Sequence, residues 1–236
     1  SRGSVNVYYQ RADSLATQAI AVSTAAANVA NRQAAYGVRA AARLALGNFA
    51  GAAADAAAAN VPATFVLNAP FDQSTHNLIV DENDTAVGGS FRATTVWRSF
   101  FEAYFRNTGD LRVRWDSAAA VPTPNGKARE GEFTGIPWYY PRKYLPTNTA
   151  ADYASSMRLV SGREMPLIIA ETLLRAGDFA NAAIQINSLR TTAPVPAVRA
   201  GSPALSNYTI TNVREGWNAL RQEKSIELWL EARTMG

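Results

Sequence analysis

Five glutamates in predicted helices could in principle supply the carboxylate pair of a glycosidase, in which one group protonates the leaving oxygen and the other attacks or activates water. They are Glu164, Glu171, Glu223, Glu227 and Glu231. Arginines accompany them in the same segments: Arg163, Arg175, Arg190, Arg221 and Arg233. Because a buried carboxylate needs a positive partner, ion pairing between helices is the favoured interpretation, and we predict no catalytic residue.

Metal and nucleophile chemistry has few candidate residues. His76 is the single histidine and the sequence has no cysteine, so a triad or zinc site would depend on one side chain in a polar stretch, and a surface histidine is favoured. Asp81, Asn83 and Thr85 alternate like calcium ligands, but the glycine and glutamate that an EF-hand needs are missing from their positions. We predict no metal and no cofactor, with a looser calcium site left open as the alternative.

An aromatic cluster supplies the best ligand-binding candidates: Trp138, Tyr139, Tyr140, Tyr144 and Trp97. Sugar rings stack their apolar C–H faces on flat aromatic side chains, while polar neighbours bind the hydroxyl groups. The polar neighbours here are Arg142, Lys143 and Asn148. For any single aromatic residue, packing of the loop onto the helices is an equal alternative. For the cluster we predict ligand contact, with Trp138 as the first stacking platform.

The elements that must position these residues begin with two similar helical hairpins. In residues 33–59, Gly47 suits the end of one helix and Asn48 the N-cap of the next. The same order of glycine, cap, phenylalanine and alanines returns 130 residues later, with Gly177 and Asp178 at the turn. A tight turn, a cap and small contact residues are what a tetratricopeptide-like hairpin requires, so we predict an internal repeat.

Between the hairpins the sequence changes character. Residues 61–157 contain seven prolines and many aromatic residues, which predicts loops, short strands and one helix over 91–105. Long irregular segments in compact domains are usually functional. Helical spacing of apolar residues further predicts helices over 5–30 and 212–233.

Composition excludes some classes of protein. With 47% hydrophobic and 18% charged residues, the chain should fold, and it lacks an apolar run long enough to span a membrane. The net charge of +4 comes from scattered basic residues, so we predict no nucleic-acid partner.

Several segments in the last third of the chain resemble one known family. They are Arg158-Leu-Val-Ser-Gly-Arg-Glu164, Leu174-Arg-Ala-Gly-Asp178, Ile186-Asn-Ser-Leu-Arg190 and Gln222-Glu-Lys-Ser-Ile-Glu227. In this order and spacing they closely resemble the C-terminal signature of the SusD/RagB family. The match weakens towards the start of the chain, and Asp110-Leu111-Arg112-Val113 resembles a family turn with Leu111 in place of proline.

The resemblance implies a mainly α fold of tetratricopeptide-like hairpins with a large loop-rich insertion, as in SusD-like proteins. We expect one domain over 1–236, incomplete at both ends, with a helical framework in 1–60 and 158–236 and a ligand-facing segment in 61–157. The resemblance also implies a cell-surface lipoprotein of the outer membrane, attached through an N-terminal lipid anchor that this sequence does not contain.

The function implied by the resemblance is capture of an oligosaccharide, or of a peptide in some members, as a lid on a SusC-like TonB-dependent transporter. We therefore predict a binding protein and not an enzyme. The alternative is a helical-repeat scaffold that binds another protein or self-assembles without a small ligand. An exposed aromatic groove in 91–148 favours the first, and burial of those aromatics against another subunit favours the second.

Overall fold

The fold is mainly helical. A computed structural model describes residues 2–81, 94–117, 138–147, 149–192 and 194–231. The helices in these residues are α1 (Arg2–Val22), α2 (Val29–Ala45), α3 (Phe49–Asp55), α4 (Leu78–Asp81), α5 (Phe100–Thr108), α6 (Met165–Arg175), α7 (Phe179–Thr191) and α8 (Val213–Glu227). Short 3-10 turns occupy Ala26–Asn28, Leu111–Val113 and Ala150–Ala154.

Four short strands complete the described secondary structure: β1 (Val66–Ala69), β2 (Trp115–Ser117), β3 (Tyr139–Pro141) and β4 (Met157–Ser161). They form two separate two-stranded sheets, one of β1 with β4 and one of β2 with β3. The β2–β3 pair is antiparallel, with Trp115 opposite Pro141 and Ser117 opposite Tyr139. This second pair carries the aromatic residues of interest.

The chain divides into two compact units. The first unit comprises Ser1–Leu67, Arg158–Val195 and Ser206–Gly236, and the second comprises Asn68–Met157 and Pro196–Leu205. The first unit therefore contains most of both predicted framework segments, and the second contains most of the predicted loop-rich segment. Grouping of 1–236 into a single domain stays a prediction.

The turns of the two hairpins have the same hydrogen-bond pattern. Gly47 has φ +79° and Gly177 has φ +80°, a left-handed conformation that favours glycine. The amide of each glycine donates to the carbonyl three residues earlier at 3.1 Å, and the amide of the next residue donates to the carbonyl five residues earlier at 2.9 Å. This is the Schellman ending of a helix.

The capping residues of the two hairpins also match. The side chain of Asn48 accepts a hydrogen bond from the amide of Gly51, and that of Asp178 accepts one from the amide of Asn181, each at 3.1 Å. Each side chain thus satisfies an amide that the first helical turn leaves unpaired. The predicted correspondence of glycine and cap is confirmed at the level of backbone geometry.

Two clusters of buried apolar residues hold the first unit together. One lies among α6, α7 and α8 and includes Leu167, Ile186 and Leu220. The other includes Ala40 of α2, Ala52 of α3 and Ile168 of α6. Helix α6 contributes to both clusters, so it is the central helix of this unit. Small alanines at the contacts let these helices approach closely.

Three predicted helix boundaries were wrong. The helix predicted over 5–30 ends at Val22, and α2 starts at Val29. Helix α8 begins after its Asn212 cap as predicted, but it ends at Glu227 and not at residue 233. The short helix α5 begins at residue 100, because the Ser99 side chain caps it by accepting from the amide of Glu102.

Candidate ligand-binding surface

Alternation along a strand decides which aromatic side chains of the second unit reach the surface. Strand β3 begins at Tyr139, directly after Trp138, and successive side chains along a strand point to opposite sides. Trp138 and Tyr140 are buried, with 1% and 3% of their surfaces exposed, whereas Tyr139 between them is half-buried. One of these three consecutive rings is therefore accessible to a ligand.

Trp138, Tyr140 and Tyr144 occupy core positions, which corrects the choice of Trp138 as first stacking platform. The Trp138 indole N–H donates to the carbonyl of Thr94 at 3.2 Å, and its ring lies 4.9 Å from that of Tyr140. Tyr144 is 6% exposed. A sugar stacked on Trp138 would require this packing to open. We therefore carry the ligand-binding prediction forward with Tyr139 and Trp97.

Tyr139 stacks on Trp115, a residue that the sequence did not single out. Their ring centroids are 4.6 Å apart and the planes differ by 21°. Trp115 lies diagonally across the β2–β3 ladder from Tyr139 on the same face, a position from which aromatic side chains can meet. Both rings are half-buried. The aromatic content of residues 61–157 was the available signal, but only the strand pairing brings these two rings together.

An arginine from α5 covers part of this aromatic pair. The guanidinium carbon of Arg106 lies 5.3 Å from the Trp115 ring centroid and 5.6 Å from that of Tyr139. These distances are within the range of cation–π attraction. Arg106 also pairs with Glu102 one helical turn earlier, at 3.0 Å. The pair of rings thus has a cation and a carboxylate beside it.

Trp97 forms a second stack with its neighbour in sequence. The guanidinium carbon of Arg98 lies 4.4 Å from the Trp97 ring centroid. Arg98 has φ +58°, which is rare for a residue with a side chain and carries a conformational cost. Its amide donates to the Glu102 carboxylate at 2.5 Å. Trp97 is half-buried and Arg98 is exposed.

Glu102 connects the two stacks. Its carboxylate accepts from the Arg98 amide and pairs with the Arg106 guanidinium, and its backbone carbonyl accepts from the Trp115 indole N–H at 3.4 Å. The predicted site residues Trp97 and Tyr139 therefore belong to two stacks around one carboxylate. We call Trp97, Arg98, Arg106, Trp115 and Tyr139 the aromatic–arginine surface.

The other polar residues predicted to assist binding lie in different surroundings. Arg142 donates to the carbonyl of Pro146 at 3.1 Å and lies 3.5 Å from the Asp116 carboxylate. The Lys143 ammonium lies 5.9 Å from the Tyr144 ring centroid. Asn148 falls outside the described residues. These contacts hold Arg142 against its own loop and against β2, and they leave the aromatic–arginine surface as the stronger candidate.

The acidic stripe forms ion pairs within the first unit, as predicted. Glu171 pairs with Arg175 and Lys224, Glu223 with Arg190, Glu227 with Arg158 and Arg163, and Glu231 with Arg158. Glu164 is buried at the start of α6. Arg158 and Lys224 are partners that the sequence did not identify, whereas Arg233 lies outside the described residues.

The environment of Glu171 is poorly suited to general acid catalysis. Burial alone would raise its pKa, but hydrogen bonds from Lys224 and Arg175, together with their charges, outweigh burial and hold the pKa of Glu171 below its usual value. A glycosidase acid needs the opposite shift, so that it still carries its proton near neutral pH. Glu171 therefore acts as a permanent anion between two cations.

The structure describes the surroundings of His76 but not most of the predicted calcium segment. The His76 ring stacks on that of Tyr153, with centroids 4.3 Å apart, and a ring nitrogen lies 2.8 Å from the Gln73 carbonyl. In the residues that the structure describes, no three histidine or acidic side chains group as metal ligands would. Asn83, Thr85 and the side chain of Asp81 lie outside the described residues, so the calcium alternative stays untested.

Comparison with known proteins identifies the architecture. No family model and no curated protein match the sequence. A SusD-like carbohydrate binding protein from Bacteroides vulgatus ATCC 8482 superposes with a TM-score of 0.51 at 17% identity, over 84% of this chain and 42% of that one. The chain has a SusD-like fold.

A second SusD-like protein, from Bacteroides fragilis NCTC 9343, matches with a TM-score of 0.48 at 13% identity, over 84% of this chain and 52% of its own. The chain thus spans about half the length of these SusD-like structures or less. The first of them confirms the predicted mainly α, SusD-like fold. None of the described helices is both long and apolar enough to cross a membrane.

Proposed function

We propose that the chain is part of a SusD/RagB-family protein that binds glycans without transforming them. The SusD-like fold supports this proposal, since the similar structure from Bacteroides vulgatus is described as a carbohydrate binding protein. The observation that carries it is the aromatic–arginine surface, where Trp97, Trp115 and Tyr139 are half-buried in a loop-rich unit.

The chemistry of this surface suits a saccharide. Indole and phenol rings offer flat apolar faces to the C–H faces of a sugar, and guanidinium N–H groups donate to hydroxyl and carboxyl oxygens. Strand pairing fixes Trp115 and Tyr139, and the Ser99 cap fixes the start of the helix that carries Glu102 and Arg106. A preorganised surface loses less conformational entropy on binding.

A panel of neutral and acidic oligosaccharides and short peptides, titrated by calorimetry into the purified chain, tests the proposal. Binding of a saccharide without cleavage, checked by chromatography of the recovered ligand, is the expected result. Trp115→Ala should weaken that binding, and Tyr8→Ala, which removes an aromatic ring that is 74% exposed on α1, should leave it unchanged. Cleavage of the ligand, or equal binding by both variants, would contradict the proposal.

We further propose that the whole protein sits at the outer-membrane surface as a lid or partner of a SusC-like TonB-dependent transporter. The family resemblance and the SusD-like fold support this part of the proposal. Affinity purification of the full-length tagged protein from native outer membranes should recover a TonB-dependent barrel in stoichiometric amount. Recovery of the protein alone after cross-linking would count against the partnership.

Helix α1 favours the second candidate, a scaffold that self-assembles through a second copy of the chain. Tyr8, Leu15 and Val22 are 74%, 54% and 75% exposed, although their spacing gave the helix its predicted apolar face. Apolar side chains grouped on one exposed helix are a common feature of interaction surfaces. Sedimentation that shows a dimer in the wild type and a monomer in Leu15→Ser would support this candidate. A monomeric wild type at high concentration would reject it.

A further inference from the structure

Three guanidinium groups of the second unit are held against aromatic rings near α5. Arg98 lies over Trp97 at 4.4 Å and Arg106 over Trp115 at 5.3 Å, while Arg199 lies over Phe105 at 5.5 Å. A guanidinium that stacks on a ring still presents N–H donors at its edge. All three arginines are exposed. Arg106 pairs with Glu102 at 3.0 Å and Arg199 donates to the carbonyl of Arg106 at 3.5 Å, so among the described residues the donors of Arg98 are the ones open to a ligand.

Among the residues that the structure describes, the charge around α5 is positive. Glu102 pairs with Arg106, but neither Arg98 nor Arg199 forms an ion pair within the described part of the chain. Asp110, the acidic residue that follows α5, is fully buried and pairs with Arg112 at 2.7 Å. The carboxylates around α5 therefore leave the charges of Arg98 and Arg199 uncompensated. Such a surface attracts anions.

The backbone at Arg98 places one of these charges at a conformational cost. Its φ of +58° is sparsely populated by residues with side chains. Ser99 already caps α5, and the Glu102 carboxylate accepts the Arg98 amide. Strain that the surrounding structure maintains is a feature of functional sites. The left-handed backbone conformation of Arg98 places its guanidinium over the face of the Trp97 ring.

From this arrangement we infer that the aromatic–arginine surface binds a saccharide that carries carboxylate or sulfate groups. This inference rests on the proposed glycan-binding function and specifies its ligand class. Rings of the surface take the sugar faces, and the guanidinium edge of Arg98 takes an anionic group. Paired N–H donors of arginine match the geometry of two-oxygen anions.

Two matched pairs of ligands test the inference by calorimetry. An oligogalacturonide and its fully methyl-esterified form share the same rings and differ in charge, and dextran sulfate and dextran provide the corresponding pair for sulfate. The charged member of at least one pair should bind about tenfold more tightly than its neutral counterpart, since charge-assisted hydrogen bonds contribute more than neutral ones. Binding of that member should weaken as salt is added.

A matched pair of variants separates a specific contact from general attraction. Arg98→Gln should weaken binding of the charged saccharide by about tenfold. Arg214→Gln removes the same charge from an exposed position on α8 in the first unit and should have no effect. Thermal melting verifies that both variants are folded.

The outcomes distinguish this inference from the function on which it rests. Equal affinity for the charged and neutral members of both pairs, or equal loss in Arg98→Gln and Arg214→Gln, would overturn the anionic ligand class. The proposed glycan-binding function would still stand if a neutral saccharide binds. If no saccharide in the wider panel binds, both proposals fail.

Discussion

Arg190 of α7 and Glu223 of α8 form an ion pair at 3.1 Å in which the side chains are 6% and 0% exposed. The Tyr208 hydroxyl donates to the same carboxylate at 3.0 Å, and Arg190 Nε donates to the carbonyl of Ser206 at 2.6 Å. The Arg190 guanidinium also stacks over the Tyr208 ring at 4.3 Å. One buried pair therefore links two helices and the segment that precedes α8.

Removing one member of this ion pair should destabilise the fold far more than replacing both members. Glu223→Ala leaves a buried guanidinium without its carboxylate, and we expect it to lower the free energy of unfolding by about 3–5 kcal/mol. The double variant Arg190→Met, Glu223→Ala should recover part of that loss because no buried charge remains. Urea denaturation of the wild type, Arg190→Met, Glu223→Ala and the double variant gives the coupling energy. Additive effects of the two single changes would refute the buried pair.

The hairpin turns could be predicted from sequence because the determining interactions are local. A glycine followed by Asn or Asp specifies a left-handed residue and a cap within a few positions, and both turns have that geometry. The end of α1 is different, since no glycine or proline marks it. Arg32 of α2 donates to the Ser23 carbonyl at 2.8 Å. A side chain of the next helix therefore provides a hydrogen bond to a backbone carbonyl just after α1 ends.

The candidate surface was only partly predictable for a similar reason. The sequence indicates that residues 138–140 are aromatic, but their exposure depends on the strand they pair with. That strand contains Trp115, more than 20 residues earlier, and the pairing sets Tyr139 on the face of Trp115. Strand alternation would have separated Tyr139 from Trp138 and Tyr140, but it does not tell which side is buried.

The two hairpin glycines provide a direct test of the repeat. Gly47 and Gly177 have nearly the same positive φ, and a Cβ atom at either position would meet no other atom within 4 Å. Gly47→Ala and Gly177→Ala should therefore each lower the free energy of unfolding by about 1 kcal/mol, through backbone strain alone. Chemical denaturation measures both, and costs that differ severalfold would mean that the two turns are not equivalent.

Glu171 should make stability depend on acid pH. Its folded pKa is depressed, because Lys224 and Arg175 outweigh the opposing effect of burial, so its contribution is complete above the unfolded pKa of about 4.3 and is lost as pH falls through the folded pKa. The stability difference between wild type and Glu171→Gln should thus be constant from neutral pH to about pH 5 and narrow below it.

Carboxyl NMR titration provides the control for this prediction. Lys224→Met removes the ammonium that contacts Glu171 at 2.9 Å, so the pKa of Glu171 should rise in that variant. Arg221→Gln, on an exposed part of the same helix, should leave the pKa where it is. A stability difference that stays constant through the acid range would show that Glu171 is not stabilised as an anion.

Adjacent residues Trp138 and Tyr139 should have separable roles. Trp138 is 1% exposed and its indole N–H donates a hydrogen bond to the carbonyl of Thr94. Trp138→Ala should therefore lower the free energy of unfolding by about 3–5 kcal/mol. Tyr139 is half-buried, and its loss should affect stability less. If a sugar ring stacks beside Trp115, Tyr139→Ala should weaken saccharide binding by about 1–3 kcal/mol, a range taken from base stacking on aromatic side chains.

Thermal melts and calorimetric titrations of the two variants under the same conditions separate these roles. For Trp138→Ala, any loss of affinity should disappear when titration is carried out well below its lowered melting temperature, because the substitution removes packing and no ligand contact. For Tyr139→Ala, the loss of affinity should persist at every temperature at which the protein is folded. Persistent loss in Trp138→Ala with an unchanged melting temperature would mean that the Trp138 ring becomes exposed to bind the ligand, since a side chain that packs the core cannot be removed without loss of stability.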